Sequence, residues 1–265
     1  MVNINRLYRS FRVSFRAVVV SPNFYIAVFL LFCVLTIEDI EAVFTSVARG
    51  QSSSNFGDAY FFNISLHFGY YIYATPLLCA FASSGMFVND YEAGFFRLRM
   101  IASGKKEYKC GLFLGTTVGG GCALFVGVVL YAIFCSIIYP PLFPATDITV
   151  FEEWLPVLAG QFGNWKYMIT HAVLACIFGM VWSGVGLVVS VYSPNRYLSY
   201  LTPFIICFCA VLALPATIRP LEMLVQMSWE SFTFIKLISY QVTLYIAILT
   251  WFMFAFERRV ICGMD

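Results

Sequence analysis

Two histidines, nine cysteines and one Gly-Lys step are the parts of this chain that could bind metal, act as nucleophiles or cradle a phosphate. Their spacing argues against each. His67 and His171 lie far apart, and a metal site needs three or four ligands. Cys33, Cys79, Cys110, Cys122, Cys135, Cys176, Cys207, Cys209 and Cys262 contain no Cys-x-x-Cys pair. Nearly all fall within or beside apolar runs, where cysteine packs as a small hydrophobe. No serine or cysteine nucleophile has a recognisable base beside it. Gly104-Lys105 fails as a phosphate loop: Arg99 stands where the first glycine is required, and Lys106 where Ser or Thr is required. No catalytic residue, metal site or cofactor of its own is expected in this chain.

The elements that carry these residues are membrane helices. The 265 residues are 61% hydrophobic and 11% charged, with a mean hydropathy of +0.83. A soluble domain has about a quarter of its residues charged. A helix crossing a bilayer needs roughly 20 apolar residues, and six such windows occur, at about 23–43, 61–88, 111–138, 170–191, 198–214 and 237–256. The first is not a cleavable signal, because Cys33-Val34-Leu35-Thr36 offers no small-x-small site. With the N-terminus inside, twelve of the sixteen Lys and Arg residues fall on the inner side and nine of the fourteen acids on the outer. This asymmetry predicts cytoplasmic N- and C-termini.

Residues 1–20 form a unit distinct from the six-span domain, 21–265. Ile4, Leu7, Phe11, Phe15 and Val18 make one helical stripe, and Arg6, Arg9, Arg12 and Arg16 occupy the opposite face. Such a helix suits the cytoplasmic headgroup layer. Within the membrane, Gly111, Gly115, Gly119, Ala123 and Gly127 recur every four residues in the third span. Ala175, Gly179 and Ser183 do so in the fourth. Both stripes predict close helix packing. No charged residue stands at the centre of a predicted span, which argues against an ion-coupled carrier.

The inner connection at 89–110 is the one long enough to fold as an element. Tyr91, Phe95 and Leu98 give it an apolar face. Asp90 and Glu92 are expected at the start of its helix, where the dipole favours negative charge, and Gly104 at its end. Residues 44–60 and 139–169 are long outer segments, and the half-apolar 215–236 suits a re-entrant pair.

This order of elements resembles the membrane subunits of type 2 ABC transporters, the ABC-2 permease family. The likeness rests on the basic N-terminal helix, the six spans, Asn89-Asp90-Tyr91-Glu92-Ala93-Gly94 leading to Arg97, and Ser103-Gly104-Lys105-Lys106-Glu107-Tyr108 entering the third span. It implies an all-α integral membrane protein with an interfacial helix, a cytoplasmic coupling helix and outer re-entrant helices before the last span. It implies that Asp90, Tyr91, Glu92, Gly94, Phe95, Arg97 and Leu98 receive force from a separate ATPase subunit, which binds the ATP and Mg. It further implies a second permease copy or a related one, a bacterial cell membrane and surrounding lipids, and no nucleic acid. By the same likeness, spans two and five line a substrate path with Tyr70, Tyr71, Tyr73, Thr75, Ser83 and Thr202. An uncharged aromatic path favours an amphipathic peptide, antibiotic or lipid-like cargo. A secondary carrier or channel, and a non-transport sensory or assembly subunit, remain as alternative readings.

Overall fold

The computed structural model describes residues 3–48, 58, 62, 65–66, 70–139, 164–214 and 234–261. These residues form helices α1 (Ile4–Val19), α2 (Pro22–Ala48), α3 (Tyr70–Ser83), α4 (Met86–Glu92), α5 (Phe95–Ser103), α6 (Lys105–Ile138), α7 (Asn164–Tyr192), α8 (Arg196–Ala213) and α9 (Phe234–Phe256). A π-helical turn, Glu257–Ile261, follows α9. No β-strand occurs among the described residues. Among the described residues, six helical stretches are long and apolar enough to cross a membrane: α2, α3 with α4, α6, α7, α8 and α9. By the length and composition of these helices the chain is a multi-pass membrane protein, all-helical among the described residues. Residues 215–233 of the segment expected to be re-entrant and most of both long outer segments lie outside the described residues, as does His67, while 234–236 open α9.

Local chemistry explains the breaks and continuations. Asn3 caps α1 by accepting from the Asn5 and Arg6 backbone N–H groups. At the far end of α1 the Ser21 hydroxyl donates to the Val18 carbonyl at 2.6 Å, and Pro22 opens α2. Two prolines inside membrane helices each free a carbonyl that lipid cannot satisfy. Pro76 frees that of Ile72, which accepts from the Thr75 hydroxyl at 2.9 Å. Pro203 frees that of Ser199, and the Ser84 hydroxyl of the α3–α4 turn lies 3.2 Å away.

The bundle is centred on α6 and α7, which share its largest interface. Both predicted stripes pack closely, but only that of α7 lies at this interface, where it meets Gly120 and Gly121, outside the stripe predicted for α6. Gly179 of α7 faces Gly121 so closely that a β-carbon there would stand 3.0 Å from the Gly121 α-carbon. Gly127 instead receives Leu31 of α2. Gly111, Gly115 and Gly119 meet Ser10, Ser14 and Val18 of α1, in that order, so α1 runs parallel to the first turns of α6. At 34 residues α6 is about 51 Å long. That exceeds the roughly 30 Å hydrocarbon core, so it must tilt or project.

Chain direction alternates from one span to the next. One end gathers Glu92, Lys109, Arg196 and Glu257, and the other gathers Glu38, Asp39 and Tyr139. They are called the basic and the acidic end below.

Candidate functional site

The basic end is built around α5, a nine-residue helix held between two left-handed glycines. Gly94 has φ +71° and Gly104 has φ +94°, a region that other residues enter at a cost. Gly94 lets the chain stop α4 and restart as α5, and Gly104 turns it into α6. Gly104 ends the helix as expected. The expected start was wrong, because Asp90, Tyr91 and Glu92 belong to the last turn of α4, and Gly94 separates Tyr91 from Phe95. The apolar run Met86-Phe87-Val88 lets the second span continue past its predicted end. The acids therefore sit at a helix C-terminus, where the dipole does not favour them. Side-chain partners compensate instead.

Asp90 is buried, and its Oδ2 accepts from Arg99 of α5 at 2.6 Å and from the Tyr108 hydroxyl of α6 at 3.4 Å. Glu92 pairs with Arg196 at the start of α8, and Lys109 pairs with Glu257 at the end of α9. The Asn3 backbone N–H donates to Glu107 at 3.0 Å and ties α1 to the same platform. Beneath these contacts lies an aromatic cluster. Phe96 stacks on Tyr91 at 5.3 Å and meets Phe87 at 6.4 Å. Phe87 and Tyr108 both reach Phe256 of α9, at 5.9 and 6.2 Å.

The two faces of α5 differ sharply. Phe96 and Met100 are buried in the core, whereas Phe95, Leu98 and Ile101 point outward. Leu98 is 63% and Ile101 81% exposed, and Arg97 stands exposed beside them. Of the predicted coupling residues, Phe95, Arg97 and Leu98 lie together on this surface with Tyr91 at its margin. Asp90 is beneath it, and Gly94 and Glu92 lie at its edge. Ile101 was missed, although it continues the spacing from Leu98. Arg99 was missed because its role depends on Asp90 across a turn.

The arginines of α1 are all exposed, and α1 is helical as predicted. Its docking face is not the apolar stripe. Ser10, Ser14 and Val18 are buried against α6, Leu7, Phe11 and Phe15 are half-buried, and Ile4 is exposed. The Ser10-x-x-x-Ser14-x-x-x-Val18 spacing carried this information, since small residues let helices approach.

The predicted path residues do not share one surface. Tyr70 and Tyr73 of α3 are exposed, with Tyr73 6.4 Å from Phe208 of α8. Thr202 is partly exposed on α8 and donates to its own helix at 2.7 Å. Tyr71, Thr75 and Ser83 are buried on the inward side of α3, the two hydroxyls bonded to carbonyls of that helix. Helical geometry separates them, because residues 70 and 73 share a face that 71 and 75 do not.

Among the described residues, no group of three or more His, Cys, Asp or Glu side chains is placed to hold a metal ion. What the basic end presents is an exposed apolar face on a short helix fastened to α4, α6 and, through Phe87, α9. Comparisons with protein-family models, with curated proteins and with solved structures find no match to this chain.

Proposed function

We propose that this chain is the membrane subunit of an ATP-driven exporter of the type 2 ABC kind, powered by a separate ATPase subunit. The observation that carries the reading is α5. Its inward face is locked into the bundle by Phe96, Met100 and the Arg99–Asp90 pair, and its outward face presents Phe95, Leu98 and Ile101 with Arg97. A solvated loop has no reason to expose three large apolar side chains in a row, whereas a docking helix does. A push on α5 passes directly to the second, third and sixth spans through Asp90, Tyr108 and Phe256.

In this reading the basic end is cytoplasmic, the membrane is a bacterial cell membrane, and both termini lie inside. α1 runs alongside the cytoplasmic end of α6, with Arg6, Arg9, Arg12 and Arg16 toward lipid phosphates and water and Phe11 and Phe15 toward the acyl chains. The partner binds ATP and Mg. A second copy, or a related permease, faces the exposed side of α3 and α8, where Tyr70, Tyr73 and Thr202 border the path. The cargo is an amphipathic peptide, antibiotic or lipid-like compound.

Isolation of the tagged chain from its native membrane in mild detergent tests the proposal. An ATP-hydrolysing subunit is expected to co-purify with the wild-type chain, and the Leu98→Asp/Ile101→Asp variant is expected to lose at least nine-tenths of it. Absence of such a subunit from an intact wild-type preparation, or full retention by the variant, refutes the reading.

A further inference from the structure

Glu38 and Asp39 stand side by side on α2 near the acidic end, 5% and 2% exposed. Glu38 Oε1 accepts the Tyr71 backbone N–H at 2.5 Å, in the first described turn of α3. Asp39 Oδ2 accepts the Tyr139 hydroxyl at 2.7 Å, just past the end of α6. Two adjacent carboxyl groups of the first span therefore hold the ends of the second and third. The other oxygen of each, Glu38 Oε2 and Asp39 Oδ1, is buried with no hydrogen-bond partner among the described residues.

No described cation compensates the pair, since every Lys and Arg with a described side chain belongs to the basic end. The titratable groups facing the pair are nearly all acids. Glu41 lies on α2 itself and Tyr71 on α3, while Tyr131, Cys135 and Tyr139 lie on α6. Asp58, also buried and separately engaged, shares Cys135 with Asp39 as a neighbour. His171 of α7 is one ring further away, edge-on to Phe62, which stacks on Tyr131.

Desolvating a carboxylate costs several kcal/mol even in a relaxed protein. Ionising two such carboxyls, with no described cation beside either, carries that cost twice. The geometry points to Glu38 and Asp39 as a proton-binding site, at least one of the two carboxyls being protonated while α2 is closed on α3 and α6. When that end opens to water, the O–H bond of one carboxyl breaks, the proton passes to water, and the carboxylate left behind is hydrated. Sequence reading found no charge at a span centre and so passed over this pair near a span end. The inference stands whether ATP or another source drives the chain.

Infrared spectroscopy of the full chain in lipid vesicles, without any partner, reads the proton directly. The wild-type protein is expected to show a deuterium-sensitive carbonyl band of a protonated carboxylic acid at neutral pH. Glu38→Gln/Asp39→Asn is expected to lose that band, while Glu41→Gln keeps it. The amide substitutions preserve shape, and the wild-type spectrum needs no variant. A wild-type spectrum without the band at neutral pH, or a band unchanged in the double variant, overturns the proposal.

Discussion

Asp90 and Glu92, two residues apart on α4, are chemically alike in the sequence and unlike in the fold. Asp90 is 5% exposed and shared by Arg99 and Tyr108, whereas Glu92 and Arg196 are both about half exposed. Breaking a hydrogen bond to a charged group at a buried carboxylate costs roughly 1–3 kcal/mol, while an exposed pair contributes at most about 1 kcal/mol. Asp90→Asn is therefore expected to lower the melting temperature in detergent by several degrees. Glu92→Gln should shift it much less. Equal shifts in the two melting curves would mean that burial does not distinguish the sites. This difference was not visible in the sequence, because helical spacing cannot show that Arg99 reaches back across Gly94 to Asp90. The arginines of α1 and the outward set Phe95, Leu98 and Arg97 were visible, since exposure on a short helix follows its period.

At the scale of elements, glycine spacing announced close packing without naming the neighbour. Gly115 accommodates α1 so tightly that a β-carbon would lie 2.7 Å from Ser14 Cβ and 2.8 Å from the Phe15 backbone nitrogen. Backbone cannot yield as a side-chain tip can, and overpacking of this kind costs roughly 1–3 kcal/mol. Gly115→Leu is expected to detach α1 from α6 and raise protease cleavage within residues 4–19 severalfold; unchanged protection would contradict the packing. Gly94→Ala meets nothing within 4 Å and is opposed only by its left-handed backbone, a cost of about 1–2 kcal/mol. It should weaken the break between α4 and α5 while leaving the bundle folded, read as a loss of ATPase-subunit binding with a melting shift of only a few degrees. Gly104 was recognised as a helix end because glycine is favoured at the C-terminal cap. Gly94 was absorbed into the helix because Tyr91, Phe95 and Leu98 fit one period on either side of it.

For the whole molecule, six spans and all-helical architecture were evident from apolar length alone, because lipid permits few alternatives for a backbone. The partners within the bundle were not, because apolar helices can pack in many orders. Charge asymmetry supplies the orientation to be tested. On a background without its native cysteines, Arg97→Cys and Asn195→Cys should react with an impermeant thiol reagent only after cells are permeabilised, and Phe44→Cys, exposed near the end of α2, should react in intact cells. The reverse pattern would invert the membrane orientation and with it the site of ATPase docking. That docking is the centre of the account, and photo-crosslinking in native membranes addresses it most directly. A photoreactive residue at Leu98 or Ile101 should yield an adduct with an ATP-binding subunit, and the same residue at exposed Tyr25 or Leu201 should not. No such adduct from 98 or 101, with the chain intact and inserted, would contradict the role assigned to α5.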